Sequence, residues 1–332
     1  MSKTTTQQTT TQQTTMQQTT MQQIELSSGT IEYSDTGEGP VLVLLHGLMM
    51  DASLWDGPVA DLSADHRCLV PTLPLGAHRL PMGAGADLSL PGIARLVTEF
   101  LDRMDVRDVT LVGNDTGGAL VQLLAAGANA GRVGPGRVGA GRVGGGRVGV
   151  GRVGAGRVGG GRVGRVVLAS CDAFDNFPPG LTGKALVTAG KLPAPVFGLF
   201  MQQMRLRPVR RLPVAFGWLT KRGDAATARW LRPVLTQPPI RRDTVRVLRS
   251  VAADRDLLTD AAGRLADFDR PALVVWASGD RVMPPEHGRR LAALLPHGQL
   301  IEVDDSYTLI PLDQPARFAQ LVREFTHASV TT

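Results

Sequence analysis

The sequence predicts an α/β fold in which a mostly parallel, eight-stranded sheet carries helices on both faces. Three observations support this prediction. Short apolar runs alternate with longer helical runs from residue 54 onward. Several short runs are rich in β-branched residues, as buried parallel strands are. The composition, 43% hydrophobic and 20% charged, is ordinary for a globular chain. The predicted strands are residues 24–28, 30–36, 41–46, 66–71, 109–113, 165–171, 271–277 and 298–304.

The most informative stretch is residues 109–118, VTLVGNDTGG, which an apolar helical run follows. A tight turn must therefore join strand and helix. The corner G-x-D-x-G, from Gly113 to Gly117, has the spacing of the G-x-S-x-G nucleophile elbow. Glycines avoid Cβ clashes in such a turn, and one side chain is lifted above the sheet edge. Here that residue is Asp115, whose carboxylate can attack carbon and form an ester. The competing interpretation is an Asp that only caps the helix.

Other polar residues follow predicted strands. Residues 41–47, VLVLLHG, end in His-Gly, and residues 271–280, PALVVWASGD, end in Asp280. Asp172 and Tyr307 follow two further strands. Ligands of open parallel sheets bind outside the carboxyl ends of the strands. We therefore expect the functional site at this edge of the sheet.

These motifs resemble those of the α/β-hydrolase superfamily, in the branch with an Asp nucleophile (haloalkane dehalogenases and epoxide hydrolases). The resemblance runs from about Ile24 to His327. It implies an α/β-hydrolase fold with a helical cap over the site. It also implies that Asp115 is the catalytic nucleophile and that the backbone N–H groups of Leu48 and Thr116 form the oxyanion hole.

The resemblance further implies a catalytic acid, for which two residues qualify. Asp280 matches the family acid in G-D-x-x-x-P, from Gly279 to Pro284. Asp172 is the alternative, because some dehalogenase-like members place the acid there. Either residue would orient an imidazole and stabilise its charged form. The sequence leaves this choice open.

The catalytic His of the family is missing from its usual place, some seven residues before a Pro that follows the last strand. Counting back from Pro315 reaches Thr308, beside Tyr307, and no His is present there. The resemblance implies that His46 braces its turn and is not a base. Among the other histidines, His287 is the least misplaced.

The missing His matters because hydrolysing an ester requires a base that activates water. Tyr307 is a poor base at neutral pH, since tyrosine ionises near pH 10. Residues that mark the named activities are also replaced. Thr116 and Leu48 stand where haloalkane dehalogenases usually have Trp and Asn. Epoxide hydrolases use cap tyrosines, but the only other tyrosine, Tyr33, lies outside the cap. We therefore assign neither haloalkane dehalogenase activity nor epoxide hydrolase activity to this chain.

Three hypotheses about function remain. The first is a hydrolase-like enzyme that uses Asp115 as nucleophile or base on a small, largely apolar substrate. The second is a non-catalytic member that binds a small ligand under its cap, which the missing His favours. The third is a lyase or cofactor-free reaction in which Asp115 shuttles a proton, because burial raises the pKa of a carboxyl group. The sequence does not identify the substrate.

The chain divides into a core, a cap and two low-complexity segments. Residues 24–171 and 266–330 form the predicted core, and the Pro-rich and Arg-rich residues 172–265 form the cap. Residues 1–23 predict a disordered tail, because residues 4–23 repeat the polar pattern Thr-Thr-x-Gln-Gln. Residues 131–164 repeat Gly-Arg-Val-Gly-x and predict a flexible loop inserted in the core, because glycine makes ordering costly.

Charge is unevenly distributed. The formal net charge is +6, and the repeat alone contains seven arginines. Residues 172–264 contain sixteen Lys or Arg against seven Asp. The excess of positive charge therefore lies in the repeat and the predicted cap, while the rest of the chain is acidic.

Compartment and partners follow from what the sequence contains. In the usual strand order of the superfamily, Cys68 and Cys171 lie three strands apart, too far for a disulfide. A reducing, cytoplasmic compartment is expected. No apolar stretch nears the ~20 residues that span a bilayer, so no membrane partner is expected. We expect a small-molecule partner, no cofactor and no metal. Nucleic acid is not expected as a partner; the Gly-Arg repeat is the one segment that could contact it, and that segment has no aromatic residue to stack bases. The oligomeric state is not predicted.

Deletion of residues 131–160 is expected to leave the fold and any activity intact. The repeat follows the helix after the elbow, at the sheet edge opposite the site, and loop-closure entropy grows slowly with loop length. Circular dichroism and thermal melting of the shortened protein check this. A chain that fails to fold would contradict the interpretation of the repeat as a loop.

Overall fold

The computed structural model describes residues 21–128 and 162–328. The predicted tail lies outside the described residues up to residue 20, and the Gly-Arg repeat lies outside them up to residue 161. The predicted ends of the tail and of the repeat both shift slightly, because a strand begins inside each segment. The first strand begins at Gln22, so it includes the last two residues assigned to the tail. The sixth begins at Val163, inside the last repeat unit.

Within the described residues the sheet has eight strands in the order β1-β2-β4-β3-β5-β6-β7-β8. β1 pairs with β2 and β2 with β4 in antiparallel fashion, and the remaining pairs are parallel. The mostly parallel, eight-stranded α/β-hydrolase fold predicted from sequence is confirmed. The strands are β1 (Gln22–Leu26), β2 (Gly29–Thr36), β3 (Val41–Leu45), β4 (Arg67–Pro71), β5 (Val109–Asp115), β6 (Val163–Cys171), β7 (Pro271–Ala277) and β8 (His297–Val303).

Helices join the strands and cover the sheet. They are α1 (Asp56–Leu62), α2 (Leu90–Arg103), α3 (Thr116–Ala128), α4 (Gly180–Ala189), α5 (Ala194–Gln202), α6 (Arg207–Arg210), α7 (Asp224–Trp230), α8 (Arg232–Thr236), α9 (Pro238–Ala253), α10 (Leu257–Leu265), α11 (Pro285–Leu294), α12 (Ile310–Asp313) and α13 (Pro315–Ala328). Short 3-10 helices lie at Ala52–Trp55, Gln203–Arg205 and Phe216–Leu219.

Local sequence explains how the central elements form. Every residue of β5 is buried, as expected of a strand covered on both faces. The Ser89 side chain caps α2 by accepting a hydrogen bond from the Gly92 N–H at 3.1 Å. The same helix buries Ile93, Val97 and Phe100 on one face. Strand β5 and helix α2 therefore both contribute side chains to the apolar core.

The turn between β5 and α3 has no intervening residue. β5 ends at Asp115 and α3 begins at Thr116. Asp115 has φ of 54°, in the left-handed region that costs a residue with a Cβ about 1–2 kcal/mol. A Cβ atom at Gly117 would lie 2.0 Å from the Leu45 carbonyl oxygen. Glycine is therefore required for α3 to start against the end of β3.

Residues 172–265, here called the helical excursion, leave the sheet after β6 and return at β7. Two buried carboxylates of the core hold it. Trp230 Nε1 donates to Asp51 Oδ1 at 2.9 Å. Asp313 Oδ1 accepts from the Thr220 hydroxyl at 2.6 Å and from the Arg222 N–H at 2.9 Å. The excursion is thus fixed to the loops that follow β3 and β8.

Both cysteines are free and buried. Cys68 lies on β4 and Cys171 on β6, with β3 and β5 between them. The prediction that they form no disulfide is confirmed. In the part of the chain that the structure describes, no helix combines the length and apolarity needed to cross a bilayer.

Gly117→Ala is expected to destabilise the protein, because the added methyl group meets backbone atoms that cannot move aside. Overpacking of this kind costs about 3 kcal/mol. Gly263→Ala is the matched control, since its Cβ on α10 meets nothing within 4 Å. The control is expected to be neutral or to stabilise by about 1 kcal/mol. Urea unfolding measures both, and equal stabilities would contradict the tight approach of α3 to β3.

Candidate active site

Asp115 lies at the carboxyl end of β5, on the wall of a narrow cavity of about 30 Å³. The side chain is 4% exposed. Apart from the acidic and threonine groups, the cavity surface is aliphatic or aromatic, which favours an apolar group. It is lined by Leu48, Asp115, Thr116, Asp172, Phe177, Pro178, Pro179, Thr182, Gly183, Leu186, Val187, Phe216, Leu219, Val251 and Val282.

The turn after β3 closes on the Asp115 carboxylate. The Leu48 N–H donates to Asp115 Oδ2 at 3.1 Å. A Cβ atom at Gly47 would lie 2.1 Å from the same oxygen. Gly47 therefore permits the approach, and Leu48 supplies the hydrogen bond. The predicted juxtaposition of Leu48, Thr116 and Asp115 is present at this point, while the catalytic roles predicted for them stay predictions.

The Thr116 side chain connects two carboxyl groups. Its hydroxyl donates to Asp172 Oδ2 at 2.8 Å and lies 3.5 Å from Asp115 Oδ2. A hydroxyl has one proton, so the shorter contact is the hydrogen bond and the longer one is marginal. Strand pairing explains this proximity, because Asp115 pairs with Cys171 and Asp172 comes next.

Burial raises the pKa of Asp115 to about 6. Backbone N–H groups of Thr116 and Leu48 oppose this shift by stabilising the charged form, and the charge of Asp280 adds to it. The carboxylate is therefore ionised at neutral pH, but only just. A buried charge that hydrogen bonds partly stabilise is suited to react with an electrophile.

Asp172 is fully buried, and burial raises its pKa well above its ordinary value. The nearby charge of Asp115 raises it further, while the hydrogen bond from Thr116 lowers it. Its Oδ1 has no hydrogen-bond partner within the described ranges. Burial and the charge of Asp115 therefore favour the protonated form of Asp172 on the cavity wall, and one of its polar atoms is left unpaired.

Asp280 is held by the loop that follows β7. Its Oδ1 accepts from the Val282 and Met283 N–H groups, both at 2.9 Å, and from the Thr308 hydroxyl at 2.8 Å. Burial raises its pKa, which these three donors and Ser170 oppose. Its Oδ2 has no partner among the described residues, and Asp280 does not line the cavity. Of the two predicted acids, Asp172 is the one that a cavity ligand meets.

Thr308 and Tyr307 lie in the usual region of the catalytic His and contact groups other than Asp115. Thr308 donates to Asp280, as described above. The Tyr307 ring lies under the Arg281 guanidinium, 3.9 Å from its carbon, and under Lys221 Nζ at 5.0 Å. Neither Tyr307 nor Thr308 lines the cavity.

His46 braces the turn after β3, as the sequence interpretation expects. The Leu73 N–H donates to His46 Nε2 at 2.8 Å, so Nδ1 carries the proton that it donates to the Gly47 carbonyl at 2.9 Å. Burial lowers the pKa of His46 to about 4. With both ring nitrogens occupied by backbone, His46 has no free lone pair for catalysis.

The other five histidines contact groups elsewhere. His287 packs edge-on against Phe174, with ring centroids 5.3 Å apart. His78 Nε2 lies 3.6 Å from Asp243 Oδ2, and His297 bonds to Asp269. No histidine lines the cavity in the described part of the chain. His66 and His327 lie near Asp65.

Asp65, His66 and His327 place three potential metal ligands within 4.8 Å of one another. The sequence predicts no metal site and gives no signal for this cluster, in which His327 is distant in the chain from the other two residues. His66 precedes β4, so the cluster lies at the sheet edge opposite Asp115. Asp65 also accepts from Arg323 at 2.9 Å, an ion pair that satisfies it without a metal.

Comparison with known proteins agrees with this geometry. The sequence model of the alpha/beta hydrolase family matches residues 42–321, which is most of the chain. The chain belongs to the alpha/beta hydrolase family.

Its relatives within the family are distant. An uncharacterized protein of Mycobacterium tuberculosis (strain ATCC 25618 / H37Rv) is 27% identical over 307 residues, 87% of this chain and 76% of that protein. A haloalkane dehalogenase of Mesorhizobium japonicum is 33% identical over 105 residues, 31% of this chain and 33% of that enzyme. The structure of a thermophilic esterase from Thermogutta terrifontis aligns with a TM-score of 0.64 and 19% identity, covering 93% and 99% of the two chains.

Sequence reasoning missed two buried polar side chains that organise this alpha/beta hydrolase site. Asn114 Nδ2 donates to the carbonyl oxygens of Ala169 and Thr308, both at 2.8 Å, and so joins β6 to the loop after β8. Gln122 Nε2 donates to the Asp172 carbonyl at 2.7 Å. The sequence signal for Asn114 is its position beside Asp115 in the turn motif, and Gln122 has no such signal.

Asp115→Asn is expected to stabilise the protein at alkaline pH. A folded-state pKa raised from 3.8 to about 6 gives stability that is present below pH 3.8 and lost as the pH rises through 6. By pH 8 the loss is on the order of 3 kcal/mol, and Asn avoids it. The gain on substitution should therefore be larger at pH 8 than at pH 5.

Urea unfolding at the two pH values measures the gain. Asp256→Asn, at an exposed position before α10, is the control, and its gain at pH 8 should be smaller than that of Asp115→Asn. A gain at Asp115 that is independent of pH would contradict the buried charge.

Proposed function

We propose that this chain is a hydrolase-type enzyme in which the Asp115 carboxylate attacks an electrophilic carbon of a small, largely apolar molecule. One observation carries the proposal. Asp115 lies on the wall of a mostly apolar cavity beside Asp172, and the Leu48 N–H donates to its Oδ2. Oδ1 is then the attacking oxygen. The N–H groups of Leu48 and Thr116, which lower the pKa of Asp115, would stabilise the oxyanion during ester hydrolysis.

The likeness to a haloalkane dehalogenase over part of the chain supports a carbon electrophile. The helical excursion, as the proposed cap, supplies Phe177, Leu186, Phe216 and Val251 to the cavity wall and would exclude water from it. The free, buried cysteines support the proposed cytoplasmic compartment.

Asp172 is the proposed proton donor. A halide leaves without a proton, but an oxygen leaving group needs one. Asp172 lines the same cavity and is linked to Asp115 through Thr116. Its raised pKa favours its protonated form, whereas two backbone N–H groups stabilise the charge on Asp115. The pair then holds one proton and one negative charge, as two close carboxyl groups do.

The proposed steps conserve atoms and charge. With an epoxide, Asp115 Oδ1 forms a bond to carbon, the C–O bond breaks, and Asp172 gives its proton to the departing oxygen. The ester is then neutral and Asp172 carries the charge. Asp172 takes a proton from water, whose oxygen attacks the Asp115 carbonyl carbon. The alkoxide then departs and takes the proton of the hydroxyl group that water has added to the Asp115 carbon. Asp115 is again a carboxylate and Asp172 is again an acid. No imidazole takes part.

The second candidate is a non-catalytic member of the family that binds a small apolar ligand. One observation favours it. Thr308 occupies the usual His region and donates its hydroxyl to Asp280, so that acid already has a partner that cannot act as a base. In this case Asp115 binds a polar group of the ligand and forms no ester.

Intact-mass spectrometry tests the proposal with two probes, 1-iodohexane and 1,2-epoxyhexane. The iodide should leave a hexyl ester on the protein, because iodide departs without taking the proton of Asp172 and so generates no base. The epoxide should be turned over to the diol. Asp115→Asn should abolish both reactions. Asp172→Asn should retain alkylation by the iodide and slow epoxide opening about 100-fold, since that step needs the acid.

Each outcome separates the candidates. Ester formation in the wild type that survives Asp115→Asn would refute Asp115 as nucleophile. Loss of both reactions in Asp172→Asn would refute the acid role and leave Asp172 as a structural group. Saturable binding of hexane derivatives without an ester or diol would favour the binding protein.

A further inference from the structure

The helical excursion carries an exposed apolar surface between Leu181 and Val214, here called the leucine surface. Leu181, Leu199 and Leu206 are 65%, 72% and 62% exposed. Among the described residues, the exposed large hydrophobic side chains all lie in this stretch apart from residue 21. Soluble monomers rarely expose contiguous apolar patches, and such patches mark interaction sites. The remaining members of the leucine surface are Leu192, Val196, Leu212 and Val214.

The charge around the leucine surface has one sign. Residues 176–223 contain eight Lys or Arg and no Asp or Glu. Lys184, Lys191 and Arg205 are exposed and form no ion pair within the described ranges. The other bases nearby pair with acids outside the stretch or bond to carbonyl oxygens: Arg207 and Arg210 with Asp224, Lys221 and Arg222 with Asp305, and Arg211 with Gly217 and Thr220.

Contacts hold the two ends of the leucine surface in place. The Thr182 hydroxyl donates to the Pro213 carbonyl at 2.9 Å, which ties the start of α4 to the loop that carries Leu212 and Val214. Arg249 on α9 donates to the carbonyl of Leu192 at 3.2 Å. Leu181 therefore lies near Leu212 and Val214, and Leu192 is fixed to α9.

We propose that the leucine surface docks on an anionic lipid bilayer. Exposed leucines insert among acyl chains at an interface, and each basic residue near anionic lipid adds about 1 kcal/mol. Lys184, Lys191 and Arg205 supply that charge. A second copy of the chain fits poorly, because two such faces would bring like charges together. Nucleic acid also fits poorly, since the nearby aromatic side chains, Phe200 and Trp218, are half-buried.

This inference revises the expectation of no membrane partner. That expectation rested on the lack of an apolar stretch long enough to span a bilayer, which a surface-bound protein does not need.

Helix α4 connects this surface to the cavity. Leu181 and Lys184 are exposed, whereas Thr182, Leu186 and Val187 line the cavity beside Asp115. One face of α4 would contact lipid while the other contacts the ligand. An apolar substrate that partitions into the bilayer would then reach Asp115 across this wall. The substrate source rests on the proposed function, but the docking does not.

Vesicle co-sedimentation of the full chain tests the docking. Phosphatidylcholine vesicles with and without 30% phosphatidylglycerol, a composition of about one anionic lipid in three, are compared at low and high salt. Binding should require the anionic lipid and weaken with salt. Leu199→Asp should reduce the partition coefficient at least tenfold. Gly263→Asp is the matched control, because it adds the same charge at an exposed helical site with open space around it.

The Gly-Arg repeat, which is itself basic, is present in every variant, so differences between variants report the leucine surface. Equal binding of Leu199→Asp and the wild type would overturn the proposal, as would the absence of binding to anionic vesicles. So would a concentration-dependent dimer in light scattering that Leu199→Asp breaks while vesicle binding is unchanged. An unchanged circular dichroism spectrum and melting temperature of Leu199→Asp show that the fold is intact, whether or not Asp115 forms an ester.

Discussion

The close approach of two turns at the carboxyl edge of the sheet determines how the site is built. The Asp115 carboxylate occupies the space that a side chain at position 47 would fill, and the Leu48 N–H meets it there. This arrangement requires glycine at 47 and at 117, and it places Asp115 at a positive φ. Strain and lost side-chain contacts are accepted in one small region, as is common where a reactive group must be held in place.

A second constraint is electrostatic. Asp115, Asp172 and Asp280 share a buried region, and burial raises the pKa of each. Oδ1 of Asp172 and Oδ2 of Asp280 lack hydrogen-bond partners among the described residues. Unpaired buried polar atoms cost about 1–3 kcal/mol each. A protein selected for stability alone would replace such groups with apolar ones, so their presence agrees with a chemical role at this edge.

The fold and the position of Asp115 could be read from the sequence because both rest on local patterns. Alternating strand and helix runs predict a parallel sheet, and G-x-D-x-G predicts the turn. The difference between Asp172 and Asp280 could not be read, because it depends on how each loop folds after its strand. Asp172 turns to Thr116 and the cavity, whereas backbone N–H groups hold Asp280.

Other structural features could not be predicted from the sequence for the same reason. The stacking of Tyr307 under Arg281 and the cluster at Asp65 join residues that are distant in the chain. Single-sequence patterns carry no signal for such pairs. The exposure of Leu199 was also hidden, because apolar residues at helical spacing are ordinarily interpreted as core.

The anchoring of the helical excursion has a dynamic consequence. Asp51 and Asp313 bind its second half through Trp230 and Thr220. Swinging the whole excursion open as a rigid lid would break all of these bonds at once. Helices α4 and α5 lie outside the anchored half, so opening there costs less free energy. If the cavity binds a ligand as proposed, exchange of that ligand would involve movement of α4 more readily than movement of the anchored half.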